Sequence, residues 1–308
     1  MSTFNLISNI TNGAGLQKDT ELMASILEKA GHKVSRTMFN ATVPTYRHHD
    51  INIFLEVVAA EHFRYAKESW LVPNSEWWYQ GWESLVPRFS KVLCKTHDCW
   101  EIWRRKVGEQ RAVYMGFQSN DFYKPEYTRV PTFLHLAGKS ETKNTAAVMA
   151  AWRNYNIPYP LLVSAFKPEI VKLCRGVQNV RQVDRLTPEE TIRALNECQF
   201  HIMPSKYEGY GHAIHEALGC RGVVLTTDAP PMNEFGGIWK PLLIPSCGRK
   251  PRPPLTWFHE VDPAAIRQVV YKAAQLTTTE LQVIGDHARA GFLSDQNFFL
   301  NKIQEIIK

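Results

Sequence analysis

Apolar residues recur along this chain in short runs, and between the runs they return every third or fourth position. Phe4-Asn5-Leu6-Ile7-Ser8 reads as a strand, and Asn12-Gly13-Ala14-Gly15 as a turn that only small residues can make. From about Lys18, the residues Leu22, Met23, Ile26, Leu27 and Ala30 share one helical face. Gly31 ends that helix as a left-handed cap, and His32-Lys33-Val34 opens the next strand. Further strands are expected at 51–58, 70–73 and 91–94, with helical stretches between them. A polar, proline-containing link, Lys124-Pro125-Glu126-Tyr127, precedes a second series. Its strands fall at 132–137, 160–164, 200–204 and 222–226, with helices at 142–155 and from about His212 to Leu218. Another helix opens at Thr187-Pro188-Glu189-Glu190, with threonine as N-cap, proline at the first position and glutamate at the third. Phe298, Phe299, Leu300, Ile303 and Ile306 recur at helical spacing and predict a final helix. Short apolar strands alternating with helices mean parallel sheets covered on both faces, an α/β chain in two units.

Composition changes this picture little. At 308 residues, with 44% apolar and 21% charged, the chain can bury two ordinary α/β cores. No stretch approaches the roughly eighteen uninterrupted apolar residues that a membrane span needs. The N-terminus reads as a strand rather than a signal peptide. The six cysteines show no CxxC pair and no metal spacing, which suggests reduced, buried thiols and a cytoplasmic protein. The formal net charge of +6 suits either a solvated basic surface or a cleft that meets phosphate.

The chemistry concentrates between Pro204 and Cys220. There a strand delivers the segment Ser205-Lys206-Tyr207-Glu208-Gly209-Tyr210-Gly211-His212 onto a helix start. Free N–H groups and the helix dipole make such a place ready for phosphate. Gly209 and Gly211 let backbone approach a ligand closely. Glu208 lies before the helix and Glu216 about one and a half turns inside it, so the two carboxylates can reach opposite ends of one ligand.

This segment resembles the E-x7-E signature of retaining glycosyltransferase family four, with Pro-Ser…Glu-Gly-Tyr-Gly and Glu-Ala-Leu-Gly-Cys in place. The resemblance extends to Asp184–Glu190 upstream and to Thr227–Glu234 downstream, and covers residues 130–295 well and the N-terminal half loosely. It implies a GT-B fold, two Rossmann-like domains facing an interdomain cleft. An N-terminal acceptor-binding domain would span 1–129 and a nucleotide-sugar-binding domain 130–287. The segment 288–308 would form a helix packing back on the first domain. Glu216 would hold the ribose hydroxyls of the donor, and Glu208 the hydroxyls of its sugar. Gly209, Tyr210, Gly211 and His212 would line the donor. Gly138-Lys139-Ser140-Glu141-Thr142-Lys143 is similar to the family's G-R-x4-K, whose cations hold the donor diphosphate. Here lysine replaces arginine and the spacing is one residue shorter. The Gly13 and Gly15 loop resembles the loop after the first strand of GT-B enzymes, which faces the donor phosphates. As a dinucleotide fingerprint it fails, because Lys18 stands where the third glycine belongs and no acidic residue ends the following strand.

Many members of the family carry a histidine near the reacting centre. The matching stretch, Val72-Pro73-Asn74-Ser75-Glu76, has none, while His97 falls after the next strand and could reach the cleft. Retaining transfer in the family uses the leaving phosphate oxygen to take the acceptor proton, so no protein base is required. No Asp-x-Asp metal motif is present, no metal is expected, and the nucleotide sugar (UDP- or GDP-linked) is a co-substrate rather than a cofactor. Tryptophans 70, 77, 78, 82, 100 and 103 lie among basic residues in the N-terminal half. Half or more of them should pack a core, with Trp77-Trp78 the pair expected at the surface to meet an acceptor, whether DNA carrying a hydroxymethylated base, a glycan or a lipid. Two other readings stay open: a non-hydrolysing nucleotide-sugar epimerase, and a non-catalytic GT-B binding module.

Overall fold

The computed structural model describes residues 1–11, 15–41 and 48–308. Gly13, assigned to the donor loop from the sequence, lies outside the described residues. The chain forms two compact units. The first comprises Met1–Gln118 with Arg252–Thr256 and Asn297–Lys308, the second Ser119–Pro251 with Trp257–Gln296.

Unit 1 is built from β1 (Thr3–Ser8), α1 (Gly15–Lys29), β2 (Lys33–Met38), β3 (His49–Leu55), β4 (Ala66–Val72), β5 (Lys91–Cys94), α2 (His97–Val107) and β6 (Ala112–Tyr114). Its sheet runs in the order β2-β1-β3-β4-β5-β6, with every neighbouring pair parallel. Between β4 and β5 the chain takes 3-10 turns over Ser75–Trp77 and Gln80–Arg88. Those turns fold most of the tryptophan-rich stretch inward. Trp78 is 4% exposed and packs edge-on against Trp103 at 4.8 Å and Trp82 at 5.3 Å. The expected surface pair is therefore split: Trp77 is 49% exposed, while Trp78 belongs to the core. Trp77 ends a 3-10 turn, in which successive side chains leave about 120° apart, and Trp78 follows it in extended backbone, so the two rings take different directions.

Unit 2 continues with β7 (Val130–Gly138), α3 (Thr145–Tyr155), β8 (Leu161–Ala165), α4 (Pro168–Cys174), β9 (Val180–Val183), α5 (Pro188–Glu197), β10 (Cys198–Met203), α6 (His212–Gly219), β11 (Val223–Asp228), β12 (Ile244–Arg252), β13 (Thr256–Val261), α7 (Pro263–Ala274) and α8 (Thr278–Ile306). The sheet order is β13-β12-β11-β10-β7-β8-β9. The central strands β10 and β11 are buried on both faces, as crossover helices require, while β9 forms an edge. The capping box that opens α5 is complete: Glu190 N–H donates to Thr187 Oγ1, and Thr187 N–H donates to Glu190 Oε2 at 2.8 Å.

Helix starts depart from the sequence reading in three places. α1 opens at Gly15 rather than Lys18, and α3 at Thr145 rather than Thr142, since Glu141–Lys143 form a 3-10 turn. α8 begins at Thr278, where Glu280 accepts from the Thr277 N–H and hydroxyl, so it is longer than its C-terminal apolar pattern implied. Its residues as far as Gln296 belong to unit 2 and the rest to unit 1, where Phe299 packs on Phe117 at 4.9 Å.

Within unit 2, α8 approaches the 236–237 backbone closely at Gly291. A Cβ built there would lie 2.1 Å from Gly237 N and 2.3 Å from its Cα. An alanine in a helix interior ordinarily gains about 1 kcal/mol over glycine. Here backbone faces backbone and neither side can yield, so Gly291→Ala should cost about 2 kcal/mol or more in urea or thermal unfolding. A stabilised variant would mean that α8 does not seat on this loop.

Unit 2 also buries three histidines, His135, His201 and His215. Burial pushes them down from 6.5 to about 4, about 3 and about 3 respectively. The unfolded chain then takes up protons that the folded chain refuses. Stability is full above about pH 6.5 and is lost as pH falls toward 4, by about 1.4 kcal/mol per pH unit for each ring. Burial raises Asp295 to about 6 and also raises Glu56, and both work in the opposite direction. The net slope should be about that of one or two histidines. Melting temperatures between pH 7 and 4.5 should show it, and His201→Gln should make the curve shallower. A flat curve in the wild type would contradict the neutral buried rings.

Candidate functional site

In an open parallel sheet, ligands are taken where the strand order reverses, outside the carboxyl ends of the strands. In unit 2 that reversal falls between β7 and β10, since β8 and β9 extend the sheet to one side and β11 and β12 to the other. The two loops that leave these strands carry most of the residues singled out from the sequence.

Gly138 ends β7 in the left-handed region at φ +56°, and the 3-10 turn after it presents Lys143. From β10 the chain enters Pro204–Gly211. This loop is fixed at several points. Thr226 Oγ1 donates to Met203 O and Thr227 Oγ1 to Ser205 O, while Lys206 N–H donates to Thr142 O at 2.8 Å. As a result Lys143 Nζ stands 2.6 Å from Glu208 Oε1, and Ser205 Oγ donates to the same oxygen at 2.5 Å. Lys139 is exposed and makes no ion pair among the described residues, so the turn brings one of the two lysines, Lys143, onto the glutamate.

Gly211 is the N-cap of α6 at φ +103°, a conformation that favours glycine, and a Cβ there would press on the Phe235 ring at 3.3 Å. Glu216, inside α6, is 5% exposed. Tyr210 is buried edge-on against the stacked Phe235 and His215 rings, and its Oη lies 3.1 Å from His215 Nδ1. His215 Nε2 lies 3.6 Å from Asp295 Oδ2. That separation is within ion-pair range, but burial, helped by His212, keeps the imidazole neutral near pH 7. His212 Nδ1 is 2.8 Å from the Ser119 hydroxyl, so its ring is already oriented. His135 supports the same corner from β7, with Nδ1 2.7 Å from Ile202 O and Nε2 2.9 Å from Thr145 Oγ1. Gly209 sits half-buried in the loop.

Unit 1 has its own reversal, between β1 and β3. Sequence reading named Gly15 and His97 near this edge. Gly15 opens α1 and is exposed; His97 opens α2 and stacks on Tyr114 at 3.8 Å. Neither is the dominant group. Lys95 and Asp19 form a buried pair at 2.6 Å, with 3% and 4% side-chain exposure. Burial pulls the Lys95 ammonium down, but Asp19, reinforced by Glu76 and Glu56, outweighs it and leaves the pKa raised. Glu56 follows β3 at φ +65° and accepts from the Asn74 amide. Burial raises its carboxyl, against the pull of Asn74 and Lys95. A non-glycine residue in that region stores strain. Sequence signals for this cluster were faint, because its members lie far apart in the chain and match no motif. Glu56, Glu76 and Lys95 follow strands β3, β4 and β5, the one feature that could have drawn attention, while Asp19 lies in α1. Trp77 belongs to the same unit, with the Arg252 guanidinium 5.0 Å over its ring.

No protein-family model matches the sequence, and no curated protein matches it. Solved structures do resemble it in three dimensions. A glycosyltransferase from Rickettsia africae ESF-5 matches with a TM-score of 0.73 at 13% identity, over 99% of this chain and 97% of that one. HepE from Anabaena, solved in complex with UDP and glucose, matches with 0.72 at 11% identity, over 100% and 99%. Sucrose-phosphate synthase from Thermosynechococcus elongatus matches with 0.73 at 12% identity, over 100% and 98%. At such identities the likeness concerns the fold. These structures are GT-B glycosyltransferases, and this chain has the GT-B fold, with two Rossmann-like α/β units.

Proposed function

We propose that the protein transfers a sugar from a nucleotide-sugar donor to an acceptor hydroxyl, with retention of anomeric configuration. One observation carries the reading: Lys143 and Glu208 meet at 2.6 Å at the strand-order reversal of unit 2, ahead of the helix that holds Glu216. Unit 2 would hold the donor and unit 1 the acceptor. HepE's complex with UDP and glucose makes uridine nucleotides the first to try, with guanosine nucleotides next.

In this scheme Glu216 accepts hydrogen bonds from the ribose hydroxyls. The diphosphate draws Lys143 away from Glu208, with Lys139 at the exposed rim as the second cation. Glu208, still held by Ser205, then accepts from hydroxyls of the donor sugar. The bond from the anomeric carbon to the diphosphate oxygen breaks, and a bond to the acceptor oxygen forms on the same face. The acceptor proton passes to the departing phosphate oxygen. Negative charge grows on the diphosphate as the bond breaks, so Lys143 contributes more in the transition state than in the ground state. The backbone of Gly209 and Gly211 and the ring of His212 border the phosphates. Tyr210, locked by His215, keeps the loop in shape before the donor arrives.

Thermal unfolding against UDP, GDP, ADP and their sugars should show stabilisation by one nucleotide family. At a hundred times the dissociation constant, the gain is about 2.7 kcal/mol. Glu216→Ala should lose that gain and all donor turnover while keeping the unliganded melting temperature within a few degrees. Retained nucleotide response in this variant would remove Glu216 from the site. Lys143→Ala should lower turnover by about two to three orders of magnitude. An undiminished rate would place the diphosphate elsewhere.

A further inference from the structure

A cavity in unit 2 lies at the amino ends of the sheet's strands, opposite the ends that carry Lys143 and Glu208. Its volume is about 280 Å³, and it is bounded by the segment approaching β7, the end of α5, the start of β10, the residue pair before β11 and the first turns of α8.

The charge of its walls is one-sided. Lys124, Arg129 and Arg221 line it, and no aspartate or glutamate does. Arg221 is answered by Asp286 at 2.6 Å, just outside the lining. Among the described residues, neither Lys124 nor Arg129 forms an ion pair. Arg129 is half-buried, and its guanidinium is held by two backbone carbonyls: Nη1 donates to Cys198 O at 2.9 Å and Nη2 to Cys220 O. Carbonyl dipoles orient the group without neutralising it. Burial, and the positive charge of Arg221, hold the Arg129 pKa below its ordinary range. A partly desolvated cation without a counter-charge is a costly arrangement to keep. The remaining walls suit a small organic body, with Tyr127 and Leu281 for its carbon surface and Gln199 for its hydroxyls.

We propose that this cavity is a binding site for a small phosphomonoester, with its phosphate between Arg129 and Lys124. Two unanswered cations call for close to two negative charges, which a phosphate monoester carries near pH 7 and a single carboxylate does not. A planar guanidinium fixed at its outer nitrogens offers the fork that phosphate oxygens accept. The volume exceeds a bare phosphate and leaves room for a sugar-sized remainder. Because the site is at the opposite ends of the strands from the nucleotide site proposed above, it stands whether or not that reading holds.

The test is thermal unfolding of the full chain at fixed ionic strength, titrated with ribose 5-phosphate, inorganic phosphate and potassium chloride. The expected result is a saturable rise in melting temperature with the sugar phosphate, larger than with inorganic phosphate and absent with chloride. Lys124→Glu should weaken it at least about tenfold, since it replaces an attraction by a repulsion. Lys124 is exposed, so this variant should keep its fold and decide the matter even if Arg129→Gln proves unstable. The response of Lys124→Glu to nucleotides should equal that of the wild type. No saturable response, an equal response to chloride, a response to inorganic phosphate alone, or an undiminished response in Lys124→Glu would each overturn the assignment.

Discussion

β7 and β10 lie side by side in unit 2, although two strands and three helices separate them along the chain. The candidate site depends on that adjacency. It brings the turn after Gly138 against the loop after Met203, and so sets Lys143 on Glu208. Pairing of this kind is paid for by burial, since the strands are covered on both faces and hold a continuous apolar core from Phe133 to Phe200 and Val223. The loops contribute little to that core. They are free to carry polar groups, and the hydrogen bonds that Thr226 and Thr227 donate, with the one that Thr142 O accepts from Lys206 N–H, hold them in place.

Lys143 on its own would be an unbalanced charge and costly to desolvate. Paired with Glu208 it is neutralised, and Ser205 holds the carboxylate in place. Behind it, His135 and His215 are buried and neutral, so they act as hydrogen-bonding struts rather than charges. Unit 1 follows a different logic at its own reversal. There Lys95 sits among Asp19, Glu56 and Glu76, and the strained backbone of Glu56 is held by surrounding structure.

The sequence made much of this visible. Strands β1 to β5, β7, β8, β10 and β11 followed from apolar runs and the α5 start from Thr187 to Glu190, whereas β6, β9, β12 and β13 were not expected. The signals that succeeded are local, carried by residues within two or three turns of one another. The errors were of other kinds. Trp78 looked like a surface residue because its neighbours are polar, but a 3-10 turn sends it inward to Trp103. The exposure of Lys139 and the approach of Lys143 to Glu208 were beyond any linear pattern.

What the sequence determined by itself was the α/β class, the strand and helix pattern of most of the chain, and the glycine-bounded loop that carries Glu208 and leads into the helix of Glu216. Those depend on periodicity and on glycine's access to φ +103° at Gly211, which a linear string displays. Which loops become neighbours was decided only by the tertiary structure, because strand order is set by packing of the whole sheet. Lys143 beside Glu208, Lys95 among three carboxylates and Arg129 at the amino ends of the strands are all consequences of that packing. No short-range pattern encodes them, since each joins residues that the chain holds apart.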